Sequence, residues 1–172
     1  MEVLHTAKGT KNEKYEVLKS QLSALWSGES DPIANMGNMA SAIKHTFDFH
    51  WVGFYLVRGQ ELVLGPFQGP IACTRIGFGK GVCGTAWKEK QTQLVPDVEL
   101  FEGHIACSAL TRSEIVIPVF KNGKVVAVLD VDSALVNDFD EIDQMHLEAL
   151  SREISVFFLV QNFFFNSKFF PR

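Results

Sequence analysis

Cysteine is scarce in this chain of 172 residues: there are three, an odd number, at Cys73, Cys83 and Cys107. They do not read as a structural disulfide framework. The gaps of nine and twenty-three residues between them fit no zinc knuckle or ribbon. His104 and Cys107 have a ligand-like spacing but no second pair follows, so no metal is expected. Basic residues are not in excess. Lys and Arg number 16 against 20 Asp and Glu, for a net charge of -4, which leaves no footprint for nucleic acid. No apolar run approaches the roughly 18 residues of a membrane helix. Met1 to Lys14 is polar, so no secretory leader is expected and a cytoplasmic protein is.

What is present is a core. The 47% of hydrophobic residues suit one domain spanning 1–172. Asn12 to Ser27 reads as an amphipathic helix, with Tyr15, Leu18, Leu22 and Leu25 at helical spacing. Asp31 before Pro32 signals the start of a second helix, lined by Ile33, Met36, Met39, Ile43 and Phe47. From His50 the character changes. His50 to Val57 reads as a strand, with Glu61 to Leu64 its hairpin partner and Ile71 to Ile76 another strand. A short helix is expected over Val82 to Lys90 and a short strand over Thr92 to Val95. Glu114 to Phe120 and Val125 to Val131 flank Asn122-Gly123, a hairpin signal. Phe139 to Val160 reads as a closing helix with Ile142, Met145, Leu150, Ile154 and Phe157 inward. This order describes an α+β domain: a mainly antiparallel central sheet with helices packed on one face. Seven of the last sixteen residues are Phe, which reads as packing against the body or a homodimer contact.

The chemistry-bearing residues are thiols and acids. A thiol reacts as its thiolate, and the local field sets how much thiolate exists. Cys83 stands near the start of a predicted helix, which would lower its pKa. Cys107 lies in a loop near His104 and Arg112. Either reads as a nucleophile, and all three cysteines equally read as small buried hydrophobes. Cys73 is structural unless the fold brings it within about 4.4–6.8 Å of another cysteine, Cα to Cα. Asp130 and Asp132 alternate along a strand and face one side. Glu114 can join them across the hairpin. Such crowding raises at least one pKa and supplies a general acid. The competing reading is a solvated strand end.

Seven runs occur in order: Trp51-Val-Gly-Phe-Tyr55, Leu64-Gly-Pro-Phe-Gln-Gly-Pro-Ile-Ala-Cys73, Gly79-Lys-Gly-Val-Cys83-Gly-Thr-Ala, Val95-Pro-Asp97, Gly103-His-Ile-Ala-Cys107, Ser113-Glu-Ile-Val116 and Leu129-Asp-Val-Asp-Ser133. Together they resemble the free methionine-(R)-sulfoxide reductases, a family of GAF-domain enzymes, over about residues 12–158. The tail, 159–172, lies outside the resemblance. Two departures are Gly77, where proline is common, and Ser108 after Cys107, where Asp is common.

The resemblance implies a GAF-like fold and reduction of free methionine (R)-sulfoxide without a bound cofactor. Cys107 would attack the sulfoxide sulfur and become a sulfenic acid. Cys73 would condense with it to a disulfide, recycled by thioredoxin as electron donor. Cys83 would be an alternative or auxiliary thiol. Glu114 with Asp132 would hold the proton, and Asp130 would bind the substrate ammonium. Trp51 and Tyr55 would wall the pocket, and N–H groups near Ile71 and Ala72 would meet the carboxylate. The rival reading is a GAF module that binds a small ligand or senses redox state without turnover.

Overall fold

The structure is a computed structural model and describes residues 8–158. The tail over 159–172, with the last two positions of the expected closing helix, lies outside the described residues; that helix ends earlier than expected, at Ile154, and passes into a 3-10 turn. Among those, four α-helices and six strands follow in the order α1 (Lys11–Trp26), α2 (Pro32–Phe47), β1 (Trp51–Arg58), β2 (Glu61–Gln68), β3 (Arg75–Gly77), α3 (Gly81–Glu89), β4 (Gln93–Val95), β5 (Ser113–Lys121), β6 (Lys124–Ser133) and α4 (Glu141–Ile154). Single 3-10 turns cover Val98–Leu100 and Ser155–Phe157.

Local chemistry sets the boundaries. Asp31 caps α2 by accepting from the N–H groups of Ile33 and Ala34, as the Asp-Pro pair predicts. Thr10 and Glu13 form a reciprocal capping box at the start of α1. Asn122 and Gly123 both have positive φ, 51° and 73°, which a tight hairpin between β5 and β6 requires.

The strands form one sheet in the order β3-β2-β1-β6-β5-β4, every neighbouring pair antiparallel. Alternation along the strands makes two faces. One carries Val52, Phe54, Ile115, Ile117, Leu129 and Val131 against α1, α2 and α4. This is the helix-covered face expected from the sequence. The short α3 lies over the other face, where Val82, Cys83 and Ala86 pack with Tyr55, Val116 and Val128.

Two further expectations shift. Only the end of the Ile71 to Ile76 segment is regular strand; residues 71–73 form a loop outside the sheet, while the Thr74 carbonyl still accepts from the Leu64 N–H of β2 at 3.1 Å. On α4, Ile142 and Met145 are exposed, while Asp143, His146, Leu147, Leu150 and Ile154 turn inward. The inward polar residues explain this. Asp143 accepts hydrogen bonds from Tyr15 Oη and Lys11 Nζ, and His146 bonds Asn12, so α4 turns a polar stripe toward α1.

Candidate active site

The sheet register builds the floor of a cleft on the α3 face. Trp51 on β1 pairs with Asp132 on β6, which pairs with Glu114 on β5. In the next row inward, Gly53, Asp130 and Val116 stand side by side. Both rows point to the same face, so an indole and three carboxyl groups converge although they are 81 residues apart at the extremes of the sequence. The cleft holds about 500 Å³ including its open mouth. Trp51, Tyr55, Ile71, Ala72, Cys83, Cys107, Glu114, Asp130 and Asp132 all line it.

Glycine seats the indole. A Cβ on Gly53 would stand 2.4 Å from the Trp51 ring, and one on Gly69 would stand 2.5 Å from Cδ1. Trp51 therefore lies flat, with ring centroids 5.4 Å from Phe67 and 6.0 Å from Tyr55. Its Nε1–H donates to the Pro70 carbonyl at 3.1 Å. Tyr55 Oη donates to the Cys73 carbonyl at 3.0 Å, fixing the 71–73 loop to the floor.

That loop closes on the one carrying Cys107. A disulfide joins Cys73 to Cys107, with Cα atoms 5.4 Å apart. Cys73 thus meets the distance condition that its strand-like neighbourhood alone did not satisfy. Both cysteines are only half-buried at the rim. Cys83 is different: free, buried, with Sγ 4.0 Å from a Glu114 oxygen. The helix start was expected to lower its pKa. Instead burial, followed by the nearby Asp130 and Glu114, pushes this thiol well above its ordinary range.

The floor carboxyls hold protons. Glu114 is raised well above the usual carboxylate range, first by burial and then by Asp130 and Asp132. Asp132 is raised by burial and by Asp130, partly offset by a hydrogen bond from Thr111. It keeps some solvent contact at the cleft mouth. Asp130 is pushed up to about 6 by burial, less than it would be without hydrogen bonds from Cys83 and Glu114 to its ionised form. Asp130 Oδ1 is buried with no partner among the described residues. Like charges this close cannot all ionise, so the cluster keeps at least one proton at neutral pH, with Asp130 the member most readily charged. Sγ of Cys83 and one oxygen each of Glu114 and Asp130 lie within 4.8 Å of one another, a set that could also ligate a divalent cation.

Sequence reasoning missed Lys80 and Thr111, which also line the cleft. Lys80 is an exposed cation at the mouth of an otherwise acidic pocket. Neither stands in a pattern that singles it out; the path of α3 and the turn before β5 put them there. The amides of Ile71 and Ala72 donate no hydrogen bond within the described residues, and the Ile71 side chain is 91% exposed at the lip.

Residues 36–158 match the GAF domain family. GAF domain-containing protein A of Dictyostelium discoideum is 58% identical over 85% of this chain and 93% of its own length. The free methionine-R-sulfoxide reductase of Saccharomyces cerevisiae is 44% identical over 84% of this chain and 86% of its own. The X-ray structure of free methionine-R-sulfoxide reductase from Neisseria meningitidis, in complex with its substrate, matches with a TM-score of 0.89 at 45% identity. It covers 91% of this chain and 95% of that one. With the cleft, its thiols and its proton-holding floor, these likenesses make the chain a member of the free methionine-R-sulfoxide reductases, oxidoreductases of the GAF-domain family.

Proposed function

We propose that this protein reduces free L-methionine (R)-sulfoxide to L-methionine through a cysteine sulfenic acid and an intramolecular disulfide. The observation that carries this reading is a disulfide at the mouth of a cleft floored by the clustered carboxyls of Glu114, Asp130 and Asp132. In the reduced state the Cys107 thiolate attacks the sulfoxide sulfur. Glu114, with Asp132, delivers a proton to the sulfoxide oxygen, a poor leaving group until protonated. The oxygen stays on Cys107 as a sulfenic acid, so the thiol loses the two electrons that the sulfoxide gains, and methionine departs. The Cys73 thiol then attacks the sulfenic sulfur, expelling water and forming the disulfide. A thioredoxin dithiol restores both thiols. Cys83, buried and held neutral, takes an auxiliary part. No bound cofactor is required.

Recognition of a free amino acid follows from charge. The substrate ammonium meets ionised Asp130, whose Oδ1 lacks a partner. The carboxylate meets the amides of Ile71 and Ala72, with Lys80 near the mouth. Peptide-bound methionine offers neither charge. Trp51 and Tyr55 wall the cleft where the methyl group would pack, which separates the two epimers at sulfur. A cycle ending in a reducible disulfide suits the cytoplasm. Among the described residues no helix is long and apolar enough to cross a membrane.

The test is a thioredoxin-coupled NADPH assay on separated free R and S epimers, with a sulfoxide-containing peptide as control. Turnover of the free R epimer alone is expected. In single-turnover conditions Cys73→Ser should release about one methionine per site, and Cys107→Ser none. Activity in Cys107→Ser with a silent Cys73→Ser would exchange the two roles. No turnover by the folded, reduced protein would favour a redox-sensing module.

A further inference from the structure

The loop over residues 102–110 carries Cys107 above the cleft, and little in it is anchored. Its backbone hydrogen bonds are local: His104 N–H donates to the Phe101 carbonyl and Cys107 N–H to that of Ile105. Ile105 packs against Gly81, and the disulfide ties Cys107 to another loop. Among the described residues, one side-chain hydrogen bond joins this loop to the segment entering β1: His50 Nε2 and Ser108 Oγ lie 3.0 Å apart. Ser108 is the residue next to Cys107, and its Oγ also accepts the Leu110 N–H at 3.2 Å, so the bond reaches the turn itself. His50 stands between buried Phe49 and Trp51, the first residue of β1, so its backbone is fixed at the edge of the core.

We propose that His50 is a positioning residue. With Ser108 it forms a noncovalent clasp that holds Cys107 over the carboxyls and beside Cys73 while the disulfide is open. The proposal rests on the reading of Cys107 as the nucleophile. When a dithiol reduces the Cys73–Cys107 bond, the covalent tether is lost and each sulfur gains a hydrogen. A loop of nine residues then samples many positions unless something else restrains it. The clasp supplies that restraint and raises the effective concentration of Cys107 at Cys73 and at the bound sulfoxide. Coupling is reciprocal: whatever helps the disulfide form is itself strengthened by the disulfide.

The primary test needs no sulfoxide. Wild type, His50→Ala, Ser108→Ala, the double variant and His50→Gln are equilibrated with glutathione and its disulfide. The Cys73–Cys107 bond is then quantified by thiol alkylation and mass spectrometry. Each alanine variant should lower the equilibrium constant for disulfide formation about 3–10-fold, the reach of a single hydrogen bond. The double variant should be no worse than either alone. His50→Gln, whose amide reaches the same place, should recover most of the loss. In sulfoxide turnover, His50→Ala should lower kcat with KM nearly unchanged, because the clasp places the thiol and not the substrate. Constants unchanged in both alanine variants, additive effects, or a His50→Gln as defective as His50→Ala would each overturn the clasp. A wild-type protein that reduces no sulfoxide would defeat the reductase reading while leaving the glutathione result to stand or fall alone.

Discussion

At the scale of single residues, the protonated floor makes two predictions. Glu114→Gln keeps shape and removes the transferable proton. Sulfoxide turnover should fall about 100-fold or more, while the folded state and peroxide-driven disulfide formation persist. Steady-state assays beside a thiol titration check both halves. Asp130 makes the second prediction, on stability. Its carboxyl, pushed up to about 6 by burial, lies above the ordinary Asp value of 3.8. At low pH both states hold the proton and nothing is lost. As pH rises from about 4 to about 6 the unfolded chain releases the proton first, so stability drops across that window and stays lower above it. Asp130→Asn has no such slope. It should gain on wild type by on the order of 2–3 kcal/mol between pH 4 and pH 7.5 in urea unfolding. A flat difference would show that Asp130 is not strained by its burial. The acids were legible in the sequence because alternation puts Asp130 and Asp132 on one face. The setting of Cys83 was not: a helix start argues for a lower pKa, and only the packed structure reveals that the thiol is buried against carboxyls.

At the scale of elements, the join between α1 and α4 is polar where a hydrophobic stripe was expected. Asp143 is fully buried, and Lys11 Nζ reaches both it and Asp140. Tyr15 Oη donates to Asp143 at 2.8 Å, and the Tyr15 ring stacks on His146 with centroids 4.7 Å apart. Lys11→Met strips the cation and leaves a buried carboxylate held only by the Tyr15 hydroxyl and the Asp140 N–H. A loss of roughly 2–4 kcal/mol is expected, toward the lower part of the range for a buried pair broken on one side, because Lys11 keeps some solvent contact. Chemical denaturation measures it, and a change below about 0.5 kcal/mol would mean the pair acts as an exposed one. Helix starts and the Asn-Gly hairpin could be read from sequence because their signals are local. The α4 face could not, because Ile142 and Met145 have the right spacing and the deciding partners, Lys11 and Tyr15, lie about 130 residues away. The 71–73 segment looks like a strand for a similar reason: its apolar residues serve the cleft lip and the disulfide, not a ladder.

For the molecule as a whole, the sheet order puts β1 beside β6, and this one long-range pairing assembles the site. Helix and strand order was legible; the neighbour relation that sets Trp51 against Asp132 was not, since pairing between distant strands has no local signature. The disulfide adds a second global constraint, joining positions 34 residues apart. Loop-closure entropy for that span corresponds to about 3–4 kcal/mol. Reduction should therefore lower Tm by roughly 6–16 °C for a domain of this size. Thermal unfolding with and without dithiothreitol tests this, and Cys73→Ser should unfold at one temperature in both conditions. Equal melting of oxidised and reduced wild type would mean that the reduced chain already confines the two loops.

The seat of Trp51 between Gly53 and Gly69 has an optical consequence. Trp26 packs against Phe157, and Trp87 packs edge-on against Phe78. Neither lines the cleft, whereas the Trp51 indole forms part of its wall. With Trp26 and Trp87 replaced by Phe, the remaining indole becomes a built-in fluorophore. Its emission would report each arrival and departure of ligand in the unlabelled protein, on the timescale of a stopped-flow trace.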